Sequence, residues 1–379
     1  MKNFIMTVKR IYEEHYTAML RRVIQEKIPS ACFDFESPHG FAEILRDKGV
    51  NIAAVIVKSV SGNETFAQDV IALHEVSRST EKFGCVFVRG KMEAAFMRIP
   101  ELKKIPTIVM SLDEYRTEEI YDMYMKNLDE LLEVYRMLPD ENSRKTFLGF
   151  IRAKASRNLN AAFFAETPLY ICEGFMPDEG AVVIDGGACD GSTSAKFSGM
   201  GYRVFAFELD KENFRLAKKC SEEKNFCVEN LGLGAFRHTA KYTHDPCKVF
   251  VTKEKESGTS SADIVDLDYY VREKHLQRVD FIKLDVEGAE VDVIKGAAAV
   301  IARFKPILAV SVYHKIEHIW TIPKLIKSIR SDYEFCLRHF ITSAEDAPIL
   351  FTEELLKDLY SVTGSAGFIS FGECVLFAR

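Results

Sequence analysis

Short β-rich segments alternate with helical segments twice along this chain of 379 residues. The first series begins at residue 31 and ends near Arg116, and the second begins at Gly180 and continues to the C-terminus. This alternation is typical of parallel sheets, because parallel neighbours need a long crossover connection that a helix supplies. The sequence therefore predicts an α/β protein with two such domains, a number that the chain length also favours.

Changes in the pattern set the predicted domain boundaries. Residues 1–116 contain a leading helix, ended by Pro29, and then a small Rossmann-like domain. Residues 117–165 have a helical pattern that is broken at Pro139, and they predict a helical connector. Residues 166–379 contain seven strand candidates, two of them close together near the end. They predict a seven-stranded doubly wound sheet with an antiparallel edge.

Charge and cysteine usage exclude several classes of partner. Lys and Arg number 50 against 56 Asp and Glu, so the net charge of −6 offers no cationic field to nucleic acid or to an anionic membrane surface. No apolar run reaches the roughly 20 residues that span a bilayer, and no signal sequence is recognisable. The nine cysteines are scattered without a C-x-x-C pair. We therefore expect a cytoplasmic protein that binds neither nucleic acid nor membrane.

The turn after the first strand of the N-terminal domain lacks a phosphate-binding sequence. A dinucleotide site shows G-x-G-x-x-G at this place, whereas this chain has the single glycine Gly40 after Glu36 and Pro38. A carboxylate repels a pyrophosphate, and a proline has no N–H to donate. We predict that this domain binds no nucleotide and serves acceptor recognition or dimerisation.

A glycine-rich turn with two carboxylates follows the first strand of the C-terminal domain. Asp185 and Asp190 make this turn acidic, which disfavours a pyrophosphate but suits a ligand with an ammonium and a sulfonium group. Glu208, at the end of the next strand, is placed to bind both hydroxyls of a ribose. These features predict S-adenosylmethionine as the cofactor. The predicted cofactor contacts are Asp185, Gly186, Gly187, Ala188, Asp190, Gly191, Glu208, Leu209, Asn230 and Asp285.

The C-terminal domain resembles the FkbM-type methyltransferases, a family of S-adenosylmethionine-dependent O-methyltransferases. The resemblance begins near Tyr170 and rests on the motifs VVIDGGACDGSTS, VFAFELDKENF, NLGLG and IVDLDYY, and above all on VDFIKLDVEGAEVDVIKGA at Val279–Ala297. One departure is Cys189, where the broader methyltransferase class has glycine. The resemblance implies the class I methyltransferase fold and a small-molecule acceptor whose hydroxyl, on a sugar or a secondary metabolite, receives the methyl group.

Three side chains after later strands are the candidates for catalysis. Asp285 and Glu287 follow the strand at 281–284, and His314 follows the strand at 307–312. The carboxyl ends of parallel strands meet at one edge of a sheet, so we expect the three side chains to line one cleft. His314, with an ordinary pKa of about 6.5, or a carboxylate with a raised pKa could take the acceptor proton near neutral pH.

The segments beside these candidates receive no catalytic role. Glu290 and Asp292 are expected on the next helix, in solvent. His314 and His318 have the i, i+4 spacing of two metal ligands on one helix face, but Trp320 in the same segment favours a packed helix. We therefore expect no metal.

Two other functions and a dimer remain open. A nicotinamide-dependent oxidoreductase is disfavoured because neither domain has G-x-G-x-x-G. A non-catalytic protein that binds the cofactor without turnover is the second alternative, since a fold does not prove a chemistry. The leading helix is also a candidate contact for a homodimer.

Overall fold

A computed structural model describes residues 2–34, 38–57, 70–72, 80–89, 105, 107–109, 114–243, 250–251, 260–343, 367–368 and 372–379. Glu36, which the sequence prediction uses, lies outside the described residues. The chain divides into two compact units. Unit 1 consists of Met1–Leu132, Lys145–Ala165 and Thr352–Phe371, and unit 2 of Glu133–Arg144, Glu166–Phe351 and Gly372–Arg379. Residues of the predicted connector, 117–165, belong to both units.

The secondary structure alternates between strands and helices in both units. The strands are β1 (Ser30–Asp34), β2 (Ile52–Val57), β3 (Val70–Ala72), β4 (Cys85–Arg89), β5 (Thr107–Val109), β6 (Val182–Gly186), β7 (Arg203–Phe207), β8 (Cys227–Glu229), β9 (Gly232–Leu233), β10 (His238–Thr243), β11 (Phe250–Val251), β12 (Ser260–Val265), β13 (Phe281–Leu284), β14 (Ile307–Ser311), β15 (Phe335–His339), β16 (Thr342–Ser343), β17 (Gly367–Phe368) and β18 (Cys374–Ala378). The α-helices are α1 (Lys2–Glu14), α2 (Tyr16–Gln25), α3 (Pro38–Asp47), α4 (Glu114–Lys126), α5 (Leu128–Met137), α6 (Glu141–Ser156), α7 (Ser192–Gly199), α8 (Lys211–Lys224), α9 (Leu267–Glu273), α10 (Glu290–Gly296), α11 (Ala298–Phe304) and α12 (His318–Ile329). None of these helices, within the described ranges, is long and apolar enough to cross a membrane.

Unit 1 contains a five-stranded parallel sheet in the order β3-β2-β1-β4-β5. The chain starts at the centre, builds one half of the sheet and then the other, as in Rossmann-like folds. The core includes Phe41 and Leu45 of α3 with Val55 and Phe87 of the sheet. The leading segment differs from the prediction, because His15 has an extended backbone and separates α1 from α2.

Unit 2 contains a seven-stranded sheet in the order β15-β18-β14-β13-β6-β7-β8. The strands from β14 to β8 in this order are parallel, and β18 is antiparallel to both of its neighbours. The predicted doubly wound sheet with an antiparallel edge is thus confirmed. The strand order reverses between β6 and β13, and ligands of open α/β sheets bind in the crevice at such a reversal.

A second sheet in unit 2 was not predicted. Its strands have the order β11-β10-β12-β9, with β10 antiparallel to β12 and β9 parallel to it. The chain leaves this sheet at Asp266, whose carboxylate accepts from the backbone N–H of Tyr269 and caps α9. The insertion lies between β8 and β13 in the chain.

Candidate active site

The turn between β6 and α7 has a backbone that requires glycine. Gly187 and Gly191 have φ of +78° and +86°, and Cys189 between them has φ of +51°. A Cβ atom at Gly187 would lie 1.8 Å from the carbonyl oxygen of Asp285, so no larger residue fits there without movement. The N–H groups of Gly187 and Ala188 both donate to the carbonyl oxygen of Phe207, at 3.0 Å. The turn is therefore fixed to the tips of β7 and β13.

Asp185 supports this turn from below. Its carboxylate is fully buried, lies 3.0 Å from Nζ of Lys283 and accepts from the Ser194 hydroxyl at 2.6 Å. Lys283 also donates to the carbonyl oxygen of Gly187 at 2.7 Å. Asp185, a predicted cofactor contact, thus has its ion pair and one hydrogen bond within the protein. Lys283 was overlooked, although a lysine inside an apolar strand signals a buried partner.

Glu208 lies at the tip of β7 and points at the turn. Its carboxylate accepts from the backbone N–H of Cys189 at 2.7 Å and of Asp210 at 2.8 Å. Burial raises the pKa of Glu208 to about 7, because it outweighs the hydrogen bonds from the two N–H groups, which lower that pKa. The amide of Asn230 donates to the carbonyl oxygens of Glu208 and Leu209, at 2.9 and 3.1 Å. The structure thus gathers these predicted residues around one acidic edge.

Asp190 and Gly186 complete the predicted cofactor set. Asp190 is half-buried, and its carboxylate accepts from the N–H of Ser192 at 3.0 Å. Gly186 ends β6 and accepts from the N–H of Asp285 at 3.0 Å. Gly191 is the residue that precedes α7, so this helix begins without a side-chain cap at that position.

Asp285, Glu287 and His314 come together at the tips of β13 and β14, as predicted. Nε2 of His314 lies 3.4 Å from Oδ1 of Asp285 and 3.4 Å from Oε2 of Glu287. Asp285 also accepts from the hydroxyls of Tyr170 at 2.6 Å and Tyr313 at 3.1 Å. Burial and the charge of Asp285 raise the pKa of both phenols, so each phenol stays a donor.

Glu290 corrects the sequence prediction. It was expected in solvent, but its side chain is fully buried at the start of α10, whereas Asp292 is exposed as expected. Oε1 of Glu290 lies 2.7 Å from Nδ1 of His314, and Oε2 lies 3.2 Å from Nδ1 of His318. Burial alone would raise the pKa of Glu290, but these two histidines outweigh it and hold that pKa well below its usual range.

The carboxylates change the protonation of His314. Burial would lower the pKa of its ring, but the hydrogen bond to Glu290 and the charges of Asp285 and Glu287 raise the pKa to about 9. These neighbours favour the charged form of the ring, whereas the sequence alone pointed to the ordinary pKa. Glu373, before β18, is a further acid beside Asp285, and burial raises its pKa to about 8.

Comparisons with known proteins show a similarity to one family and one fold. Residues 185–338 match the family described as methyltransferase FkbM domain. The crystal structure of methyltransferase FkbM from Methylobacillus flagellatus KT is similar over 100% of this chain and 98% of that chain, with 18% identity and a TM-score of 0.62. No curated protein matches the chain.

Two further structures are similar over 53% of this chain, with low TM-scores. An rRNA methylase from Streptococcus thermophilus has 13% identity, 88% of its chain covered and a TM-score of 0.28. A TehB-like SAM-dependent methyltransferase from Corynebacterium glutamicum ATCC 13032 Kitasato has 14% identity, 82% covered and a TM-score of 0.23.

The seven-stranded sheet has the class I Rossmann-like fold of methyltransferases, and the match at residues 185–338 is to the methyltransferase FkbM domain. The resemblance found in the motifs is thereby confirmed.

Proposed function

We propose that this protein binds S-adenosylmethionine and transfers its methyl group to a hydroxyl of a small-molecule acceptor. The observation that carries the proposal is the acidic carboxyl edge of the seven-stranded sheet, where Glu208 and Asp285 flank the glycine turn. Such an edge attracts the ammonium and sulfonium groups of this cofactor and repels the pyrophosphate of a dinucleotide.

Glu208 fits the ribose of this cofactor. Each of its carboxylate oxygens accepts one backbone N–H, which leaves each oxygen a second lone pair for a ribose hydroxyl. Among the described residues, no lysine, arginine or histidine forms a salt bridge with Glu208. The carboxylate is therefore held in place yet retains accepting capacity, and the backbone of Cys189 and Leu209 borders the same space.

The cofactor would supply an electrophilic methyl group on a sulfonium. The chain orients the groups that meet the acceptor, because Tyr170 and Tyr313 fix Asp285 and Glu290 fixes His314. As the acceptor oxygen gains the methyl group, its proton passes to one of the groups at this edge. The carboxylates of Asp285 and Glu287 and the ring of His314 are the groups at this edge that are placed to take up that proton.

Unit 1 has a different proposed role. We propose that it contributes to acceptor recognition or to a homodimer and binds no nucleotide, on the basis of the sequence of its first turn. Light scattering of the purified full chain tests the dimer, and a monomer at all concentrations would leave acceptor recognition as the role of unit 1.

Transfer is tested with S-adenosylmethionine that carries an isotopic label in its methyl group. The full chain is incubated with small-molecule extract of its own cells, and labelled products are isolated and their methylated atom assigned. We expect labelled methyl ethers, a strong loss with Asp285→Asn, and little change with the exposed control Asp292→Asn. Cofactor binding without transfer to any fraction would favour the non-catalytic alternative, and a labelled nitrogen, sulfur or macromolecule would contradict the proposed acceptor.

A further inference from the structure

His314 presents a buried nitrogen atom to two carboxylates. Its side chain is 8% exposed, and Nε2 makes no hydrogen bond to any described residue. Asp285 and Glu287 each bring a carboxylate oxygen to 3.4 Å from Nε2, which is longer than a hydrogen bond. A buried polar atom without a partner is rare in proteins and calls for a physical explanation.

Each of the two separations at Nε2 is that of two ligands of one metal ion. Two donors that each lie about 2.1 Å from a cation are about 3.0 Å apart at a right angle and about 3.4 Å apart at a tetrahedral angle. Both separations at Nε2, 3.4 Å each, lie at the upper end of this range. In addition, ligand atoms of Asp285, Glu290 and His314 all lie within 4.8 Å of one another.

Glu290 occupies the position of an outer carboxylate in such a site. It is bonded to Nδ1 of His314, so Nε2 is the nitrogen that faces Asp285 and Glu287. Oε1 of Glu290 also accepts from the N–H groups of Val286 and Gly288, at 3.1 and 3.3 Å, which fixes the carboxylate. Metal-binding histidines nearly always donate their other N–H to a carboxylate, a carbonyl or water. Glu290 therefore orients the ring as a ligand.

The charge of the cluster also favours a cation. Asp285, Glu287 and Glu290 bring three carboxylates to one imidazole, so the group stays negative even when that ring is charged. Two nearby lysines have other bonds: Lys283 lies against Asp185, and Lys315 donates to the carbonyl oxygen of Gly288. Carboxylate oxygens suit Mn²⁺ and Mg²⁺, and the imidazole shifts the preference toward the transition metal.

We propose that Asp285, Glu287 and His314 bind a divalent cation such as Mn²⁺ at the tips of β13 and β14, with Glu290 as the positioning residue for His314. The i, i+4 partner considered from the sequence, His318, is turned to Glu290 and is not a ligand. Cation binding itself does not depend on methyl transfer. Its consequence rests on the proposed function: an acceptor hydroxyl on this ion would be oriented and made more acidic.

The test is a titration of the chelator-treated full chain with Mn²⁺, followed by electron paramagnetic resonance of the free ion. We expect one Mn²⁺ per chain. Asp285→Asn and Glu287→Gln should each weaken binding at least about tenfold, and Glu290→Gln about 10- to 100-fold. Asp292→Asn removes an exposed carboxylate two residues further on and should leave binding unchanged. Circular dichroism and the fluorescence of Trp320 check that each variant is folded.

Two results would overturn the inference: no binding at about 1 mM free Mn²⁺, or equal affinity in the wild type and in folded Asp285→Asn and Glu287→Gln. A titration of the same samples with S-adenosylmethionine separates this inference from the proposed function. Cofactor binding without Mn²⁺ binding would sink the cation site alone, and Mn²⁺ binding without cofactor binding would uphold the cation site and sink the proposed function.

Discussion

The two units contain parallel sheets of similar construction with very different interiors. In unit 1 the chain starts at the centre and builds β1, β2 and β3 before β4 and β5, and in unit 2 β6, β7 and β8 precede β13 and β14 in the same way. The described buried polar side chains of unit 1 are Ser30, Thr146 and Ser156, none of them charged. Those of unit 2 include Asp185, Glu208, Lys283, Glu290 and His318.

This difference shows that the fold alone does not make the site. Burying charged groups is costly unless they are paired, so a sheet that needs only stability avoids them. Unit 2 keeps them at the edge where its strand order reverses, and each is held by a hydrogen bond or an ion pair within the described residues. We therefore place the proposed chemistry in unit 2.

The largest expected effect is on stability and concerns the buried pair of Lys283 and Asp185. Lys283→Met leaves a fully buried carboxylate uncompensated, which typically costs about 3–5 kcal/mol. Trp320, the single tryptophan, is buried in α12 and reports the unfolding of unit 2 in denaturant. Adding Asp185→Asn should recover part of the loss. Lys274→Met, which breaks the more exposed pair with Glu229, should cost no more than about 1 kcal/mol. Equal costs for both lysines would refute the distinction.

A smaller effect is expected at the glycine turn. Gly187 and Gly180 both have φ of +78°, but a Cβ atom at Gly180 meets nothing within 4 Å. Alanine at either position carries about 1–2 kcal/mol of left-handed backbone strain. At Gly187 it also collides with the carbonyl of Asp285, which adds about 1–3 kcal/mol and displaces the turn. Gly187→Ala should therefore weaken S-adenosylmethionine binding while Gly180→Ala does not, and equal affinity in the two variants would show that the turn is not part of the cofactor site.

The smallest effect is a pH dependence of cofactor binding. The pKa of Glu208 is raised to about 7, so the free protein holds a proton there at pH 6 and loses it by pH 8. The ionised carboxylate is the stronger acceptor for ribose hydroxyls, and affinity should therefore rise about tenfold between these two values. Glu208→Gln cannot ionise and should flatten the profile. A wild-type affinity that falls as the pH rises would have the wrong sign for this assignment.

Much of the fold could be predicted, because local patterns report it. Alternating segments located the strands of the seven-stranded sheet, and acidic residues after strand ends located Asp285 and Glu208. The sequence did not predict the small sheet of β9 to β12, because its short strands lack a continuous apolar run. The predicted helix break at Pro139 is confirmed, since α5 ends at Met137 and α6 begins at Glu141.

The missed parts of the site depend on distant partners. Glu290 lies 24 residues from His314 in the sequence. It is an acidic residue in the first turn of α10, as is the exposed Asp292, and the sequence does not distinguish the two. Only the packing of α10 against the tip of β14 distinguishes the two. The pKa of His314 was misjudged for the same reason, because the residue that raises it most is Glu290. Long-range charge contacts of this kind leave no periodic signal in one sequence.

The central claim, that the acidic edge of unit 2 binds S-adenosylmethionine, is tested most directly by calorimetry on the full chain. The account predicts one S-adenosylmethionine per chain and weaker binding of NAD. Glu208→Gln should lower the affinity for S-adenosylmethionine at least about tenfold, because a charged hydrogen-bonding group contributes about 1.5–3 kcal/mol. Glu212→Gln, an exposed neighbour on α8, should change nothing. Tighter binding of NAD, two nucleotides per chain, or unchanged affinity in Glu208→Gln would contradict the account.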